Sequence, residues 1–155
     1  MSVAEGTAEV IGRHLQAFLA GDIEALMADF ADDALLCTPD GALRGHGPIR
    51  GFFEWALPLL PAGATTVEVK QQIVDGEVFY VAWSASSPAV AIPFAIDVFI
   101  VRDGKLAYQC FAARCSPSSR SRSTRALAAP PQRRASERAR VRSGWGWGEP
   151  PTGGL

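Results

Sequence analysis

Between Ile92 and Val101 the chain reads IPFAIDVFIV, an apolar run interrupted by one carboxylate, Asp97, and closed by the turn Arg102-Asp103-Gly104. A run of this length, rich in Ile, Val and Phe, predicts a β-strand covered on both faces. Side chains alternate along a strand, so Phe94, Ile96, Val98 and Ile100 share one face and Ala95, Asp97, Phe99 and Val101 the other. A buried carboxylate is costly unless it protonates, finds donors or borders a cavity reached by water or ligand. Backbone hydrogen bonds or a subunit seam would accommodate Asp97; the cavity is the expectation carried forward.

The elements around this strand follow from periodicity. Val10, Ile11, Leu15, Phe18 and Leu19 recur at helical spacing from about Ala4 to Ala20, and Gly21 supplies the stop. His14 falls within that apolar stripe. Asp22 is placed to N-cap a second helix with Ile23, Leu26, Met27 and Phe30 inward. Asp32-Asp33 is expected to break it, before a short strand from Ala34 to Thr38 that Pro39-Asp40-Gly41 ends in a turn. His46 is expected in an exposed loop, and Pro48 in the first turn of a third helix carrying Ile49, Phe52, Phe53 and Leu57 inward. The period then changes: 65–74, 77–86, 92–101 and 105–112 read as strands, with Asp75-Gly76 and Asp103-Gly104 as hairpin turns. Three helices followed by a meander of strands argue for an α+β fold with the helices on one face of a curved sheet.

Charge divides the chain. Residues 1–115 carry seven Lys/Arg against fourteen Asp/Glu, whereas residues 116–155 carry eight arginines against two glutamates, so the overall charge of −1 hides an acidic domain and a basic tail. The tail is built of Ser, Arg, Pro, Gly and Ala with no aliphatic periodicity, and a disordered segment is expected there. Its arginines with Trp145 and Trp147 are the only place where single-stranded nucleic acid would find charge and stacking together; none is expected at the domain. The three cysteines, Cys37, Cys110 and Cys115, form no Cys-x-x-Cys pair, so neither a disulfide framework nor a zinc site is signalled. No run approaches the roughly 18 apolar residues of a membrane span, and the N-terminal residues lack a basic start followed by an apolar core, so no membrane association and a cytoplasmic location are expected. No nucleotide loop, metal-ligand cluster or nucleophile triad occurs, and neither metal nor cofactor is anticipated.

Three strings, AFLAGDIEALMADFADDALL, LRGHGPIRGFFEWAL and AIDVFIVRDGKLAYQCFA, resemble the nuclear transport factor 2-like superfamily, which includes SnoaL-like polyketide cyclases and ketosteroid isomerases. The likeness runs from about Val10 to Ala113. It implies a cone in which a strongly curved, mixed and mostly antiparallel sheet wraps three N-terminal helices around a deep apolar pocket. It also implies a homodimer formed through the outer face of the sheet. Ketosteroid isomerases place a strand aspartate, a first-helix tyrosine and a general-base aspartate at the end of the first strand in that pocket. Asp97 matches the first, but the other two positions fall on His14 and Thr38, so the usual shuttle for moving a double bond is missing. The superfamily's cyclases, which work with one acid/base aspartate, are the nearer likeness.

Alternation supplies the remaining walls. With Trp83 inward, so are Val81 and Ala85, while Gln109 and Phe111 face inward from the last strand. The expected site is thus a small polar set, Asp97, His14, Thr38 and Gln109, within walls of Phe18, Phe52, Trp55, Trp83, Phe99 and Phe111. Many apolar walls with few polar groups suit a small, largely apolar ligand. Two functions fit: acid/base chemistry of isomerase, cyclase or hydratase type centred on Asp97 with His14 as its partner, or binding of the same ligand without chemistry.

Overall fold

A computed structural model describes residues 1–118; the expected disordered tail, including Trp145 and Trp147, lies almost wholly outside the described residues. Helix α1 spans Val3–Ala20. Ser2 and Glu5 close its start as a reciprocal capping box, and Gly21 ends it at φ 70°, a left-handed conformation that costs glycine little. Its buried stripe, Thr7, Val10, Ile11, His14 and Ala17, lies against the concave side of the sheet. Asp22 accepts the Ala25 N–H and starts α2, Ile23–Ala28. Helix α3 is His46–Ala56, with Ile49 and Phe53 buried, and a single 3-10 turn, Leu57–Leu59, continues it.

The strands are β1 (Phe30–Thr38), β2 (Gly41–Arg44), β3 (Thr66–Asp75), β4 (Val78–Ser86), β5 (Val90–Arg102) and β6 (Lys105–Pro117). They form one six-stranded sheet in the order β2-β1-β6-β5-β4-β3. Only β1 and β6 run parallel; every other neighbour pair is antiparallel. Register shifts interrupt β3/β4, β4/β5 and β5/β6, and such irregularities bend a sheet. The result is the α+β cone, three helices packed in a curved, mixed and mostly antiparallel sheet. Asp103 and Gly104 both take positive φ, 51° and 70°, in the two-residue β5–β6 turn, the conformation that matches strand twist.

Several boundaries differ from expectation. Phe30 is buried as foreseen, but it begins β1, where it pairs with Leu106, and Asp32 and Asp33 sit exposed within that strand. The pairing with β6 shifts register between Phe30 and Leu35, so the two aspartates fall in an irregular stretch of the strand that tolerates their weak strand preference. Gly41, expected in the turn, opens β2, a short strand for which no element was foreseen. His46 opens α3 rather than sitting in a loop, and its Nε2 lies 3.1 Å from the Phe30 carbonyl oxygen. Strand β6 continues past Ala112 to Pro117, because the first half of the long β5 supplies partners as far as Val90. Strand β6 thus passes position 115, and the Ser118 N–H donates to the Ala89 carbonyl.

Candidate functional site

The β4–β5–β6 register sets the site. Asp97 lies directly between Val81 of β4 and Phe111 of β6. Two residues along on each neighbour, the diagonal positions are Trp83 and Gln109, which long side chains can bridge. Both do. The Trp83 indole N–H donates to Asp97 Oδ2 at 2.8 Å, and the Gln109 amide Nε2 donates to Oδ1 at 2.8 Å. Asp97 is 6% exposed. Burial pushes its carboxyl up to about 6, although the Gln109 and Trp83 hydrogen bonds pull the other way by favouring the charged form.

These three residues border a cavity of about 290 Å³ at the centre of the cone. Helix α1 contributes His14, Leu15, Phe18 and Leu19, and α3 contributes Phe52, Phe53 and Trp55. Phe99 and Phe111 close the sheet side. Of the ten residues anticipated from sequence, nine (Asp97, His14, Gln109, Phe18, Phe52, Trp55, Trp83, Phe99 and Phe111) meet around this single space. Thr38 does not. Its hydroxyl donates to the Gly41 carbonyl at 3.1 Å and accepts the Asp40 N–H at 3.2 Å, so local turn chemistry holds it at the strand end, away from the cavity. Asp40, exposed in the same turn, offers no replacement.

His14 is in the cavity wall but is not the ion-pair partner of Asp97. It is 2% exposed and ringed edge-on by Phe30, Phe53 and Phe99 at centroid distances of 5.2, 6.3 and 5.7 Å. Desolvation by this apolar cage lowers its pKa to about 4; the Leu26 carbonyl opposes the fall and the Arg13 charge adds to it. The carboxylate within ion-pair reach of the ring is Asp29, whose Oδ2 lies 3.8 Å from Nδ1. With Asp97 raised and His14 lowered, the carboxylate is the more basic of the two, and a charged imidazolium–carboxylate pair across the cavity is disfavoured.

Sequence reasoning missed three contributions. Asp29, 2% exposed, stands three residues after Leu26 and so on the inward side of α2, a spacing that would have found it. Cys115 borders the cavity because the alternation Gln109, Phe111, Ala113, Cys115 continues through the longer β6. Val67 and Val69 of β3 and Leu59 and Leu60 beyond α3 complete the walls; the strand over 65–74 was expected, but not which of its faces meets the cavity.

Comparison with known proteins follows the same outline. No curated protein matches by sequence. Among solved structures, an NTF2-like protein of unknown function from Burkholderia xenovorans shares the fold with a TM-score of 0.57 at 22% identity, covering 70% of this chain and 83% of its own. SalBIII, described as an epoxide hydrolase/cyclase-like enzyme in pyran ring formation in salinomycin, aligns with a TM-score of 0.60 at 20% identity over 71% of this chain and 92% of its own. An LEH-like epoxide hydrolase from M. tuberculosis gives 0.56 at 16% identity, over 71% and 84%. The sequence pattern of the SnoaL-like domain matches residues 11–109, from the buried stripe of α1 to the glutamine that holds Asp97. Spanning most of the helices and sheet just described, that match places the chain in the SnoaL-like domain family.

Proposed function

We propose that the protein acts on a small, largely apolar molecule by acid/base chemistry of the isomerase, cyclase or hydratase type, with Asp97 as the proton-transferring group. The observation that carries this reading is one desolvated carboxylate, oriented by two N–H donors, at the edge of an otherwise apolar cavity. A carboxyl titrating near 6 is ionised at neutral pH yet basic enough to take a proton from a positioned ligand and return it. The Trp83 and Gln109 hydrogen bonds fix the carboxylate plane, so a ligand meets it in one orientation. Phe18, Phe52, Trp55, Phe99 and Phe111 exclude water and hold the apolar body of the ligand. His14, neutral in its aromatic cage, is a second proton acceptor on the same cavity. The similar folds of SalBIII and the LEH-like epoxide hydrolase support this class of chemistry by fold likeness. Steroid double-bond isomerisation is the poorer fit, because Thr38 stands where that shuttle needs a carboxylate and is tied into a turn.

Titration with 2-naphthol, an apolar ring system with one hydroxyl, tests the pocket. Saturable shifts of the Trp83 indole N–H and the Gln109 amide signals are expected; a probe that leaves both unmoved contradicts the assignment. Non-catalytic binding of the same ligand is the second reading, favoured by one feature: both Asp97 oxygens already have partners.

A second copy of the chain is the proposed partner for the outer face of the sheet. Phe94 and Tyr108 are exposed there, at 51% and 36%, beside half-buried Tyr80, Ile96, Val98 and Ile100. Ile73, cross-strand from Tyr80, and Val78 extend the patch. An apolar face of this kind can cover itself about a two-fold axis, where each subunit shields the same rows of the other. Light scattering at micromolar concentration should give twice the 16.5 kDa chain mass. A monomer mass would refute the dimer.

A further inference from the structure

We propose that Asp29 is the positioning residue for His14, holding the ring with a protonated Nδ1 turned to the carboxylate and Nε2 presented to the cavity as an acceptor. The inference builds on the proposed acid/base function and gives the second cavity group a defined tautomer. Asp29 follows α2 directly, and its backbone is pinned on both sides: its N–H donates to the Leu26 carbonyl and its own carbonyl accepts the Leu106 N–H of β6 at 2.8 Å. Arg13 grips one carboxylate oxygen, with Nε and a terminal nitrogen both 2.6 Å from Oδ1. That leaves Oδ2 for His14.

His14 Nδ1 and Asp29 Oδ2 face each other at 3.8 Å, both sealed from solvent and both without any other hydrogen-bond partner. An ionised carboxylate can only accept, so the compatible tautomer of a neutral imidazole carries its proton on Nδ1. Closing the gap to hydrogen-bond length takes a movement of less than about an ångström. The two ring nitrogens point to opposite sides of the imidazole, so the edge that remains for the cavity is Nε2, and its lone pair is free to accept a ligand proton. The other groups around the ring do not compete: Phe30 of β1, Phe53 of α3 and Phe99 of β5 are apolar, and Asp97, on the same cavity, is beyond ion-pair reach. The one rival is the Leu26 carbonyl, which also influences the ring. This is the orienting role a buried carboxylate plays behind a histidine base, where the carboxylate sets the tautomer and does not itself take the proton.

Nitrogen NMR on the full chain at neutral pH tests it without a ligand. The His14 signals should be those of the Nδ1–H tautomer, with a cross-hydrogen-bond correlation from that proton to the Asp29 carboxyl carbon. An Nε2–H tautomer, or a correlation to the Leu26 carbonyl carbon instead, overturns the proposal. In Asp29→Asn the new amide offers its NH2 to Nδ1, and the ring should switch to Nε2–H; a folded variant that keeps Nδ1–H also overturns it. The measurement on the parent protein stands even where the variant does not fold. None of these readouts depends on turnover, so failure of the acid/base function would appear separately, as an absence of ligand effects at Asp97 with the His14 tautomer unchanged.

Discussion

Asp97→Asn is expected to make the protein more stable and less active at the same time. The stability half follows from linkage. A carboxyl whose pKa rises from 3.8 to about 6 on folding binds its proton more tightly in the folded state. Folding is therefore favoured most below the unfolded value, and that advantage is lost as pH rises through about 6. Above pH 6 the charged form costs the fold roughly 2–3 kcal/mol, which an amide of the same shape does not incur. The amide also suits its surroundings: its oxygen accepts from Trp83, and its NH2 can face the buried Gln109 Oε1, which has no partner in the parent. Urea unfolding at pH 7.5 should show the variant ahead by that amount, with the gap closing toward pH 4. Equal stability at both pH values would mean Asp97 is not desolvated as described. His14 acts with the opposite sign. Its folded pKa is depressed to about 4, so its contribution is complete above 6.5 and is lost as pH falls through 4. In the parent the two groups offset each other between about 4 and 6.5, and the comparison of variant with parent isolates Asp97. On the activity side, loss of a general acid/base should lower turnover of a substrate by roughly 10²- to 10⁴-fold while binding changes little. A variant with undiminished turnover would remove Asp97 from the chemistry.

Phe53→Ala is expected to cost about 3–5 kcal/mol, the largest single loss among the aromatic residues of the site. Phe53 is 2% exposed and is the hub of the cluster, with Phe18, Phe30, Phe52 and His14 all within 6.4 Å between ring centroids. Removing the ring leaves a void that α3, held from the other side by the Arg50–Glu24 pair to α2, does not readily collapse into. Phe52→Ala, at a half-buried neighbour on the cavity wall, should cost less and weaken ligand binding instead. Denaturant midpoints for the two variants measure the difference; equal losses would show that the cavity wall, and not the hub, carries the core.

The residues that were legible in advance were those whose environment is set by their own strand. Alternation through Ala95, Asp97, Phe99 and Val101 was enough to place Asp97 inward, and all four are buried. Trp83, Gln109 and Phe111 followed by the same period. Residues whose position depends on distant partners were not legible. Phe30 was given the correct side but the wrong element, because its strand pairing with Leu106 arises 76 positions away. Thr38 was placed by likeness alone, and a hydrogen bond within its own turn decided otherwise. Asp29 stood at a spacing from Leu26 that marks it as inward, but its role stayed hidden, because nothing in the local sequence reveals that Arg13 and His14, a helix earlier, converge on it. The carboxylate partner assigned to His14 changed for the same reason: both aspartates satisfy the pattern, and only the packing of α1 against α2 distinguishes them.

Everything proposed for the site turns on Asp97 being a desolvated, titrating carboxyl on the cavity. Carbon NMR of its side-chain carboxyl as a function of pH tests this most directly, with no substrate needed. A midpoint near 6 is expected, well above the ordinary value of about 4, accompanied by a shift of the Trp83 indole N–H at the same pH as the hydrogen bond to Oδ2 changes character. A midpoint near 4 with a silent Trp83 would make Asp97 an ordinary solvated carboxylate and remove it from the proposed chemistry.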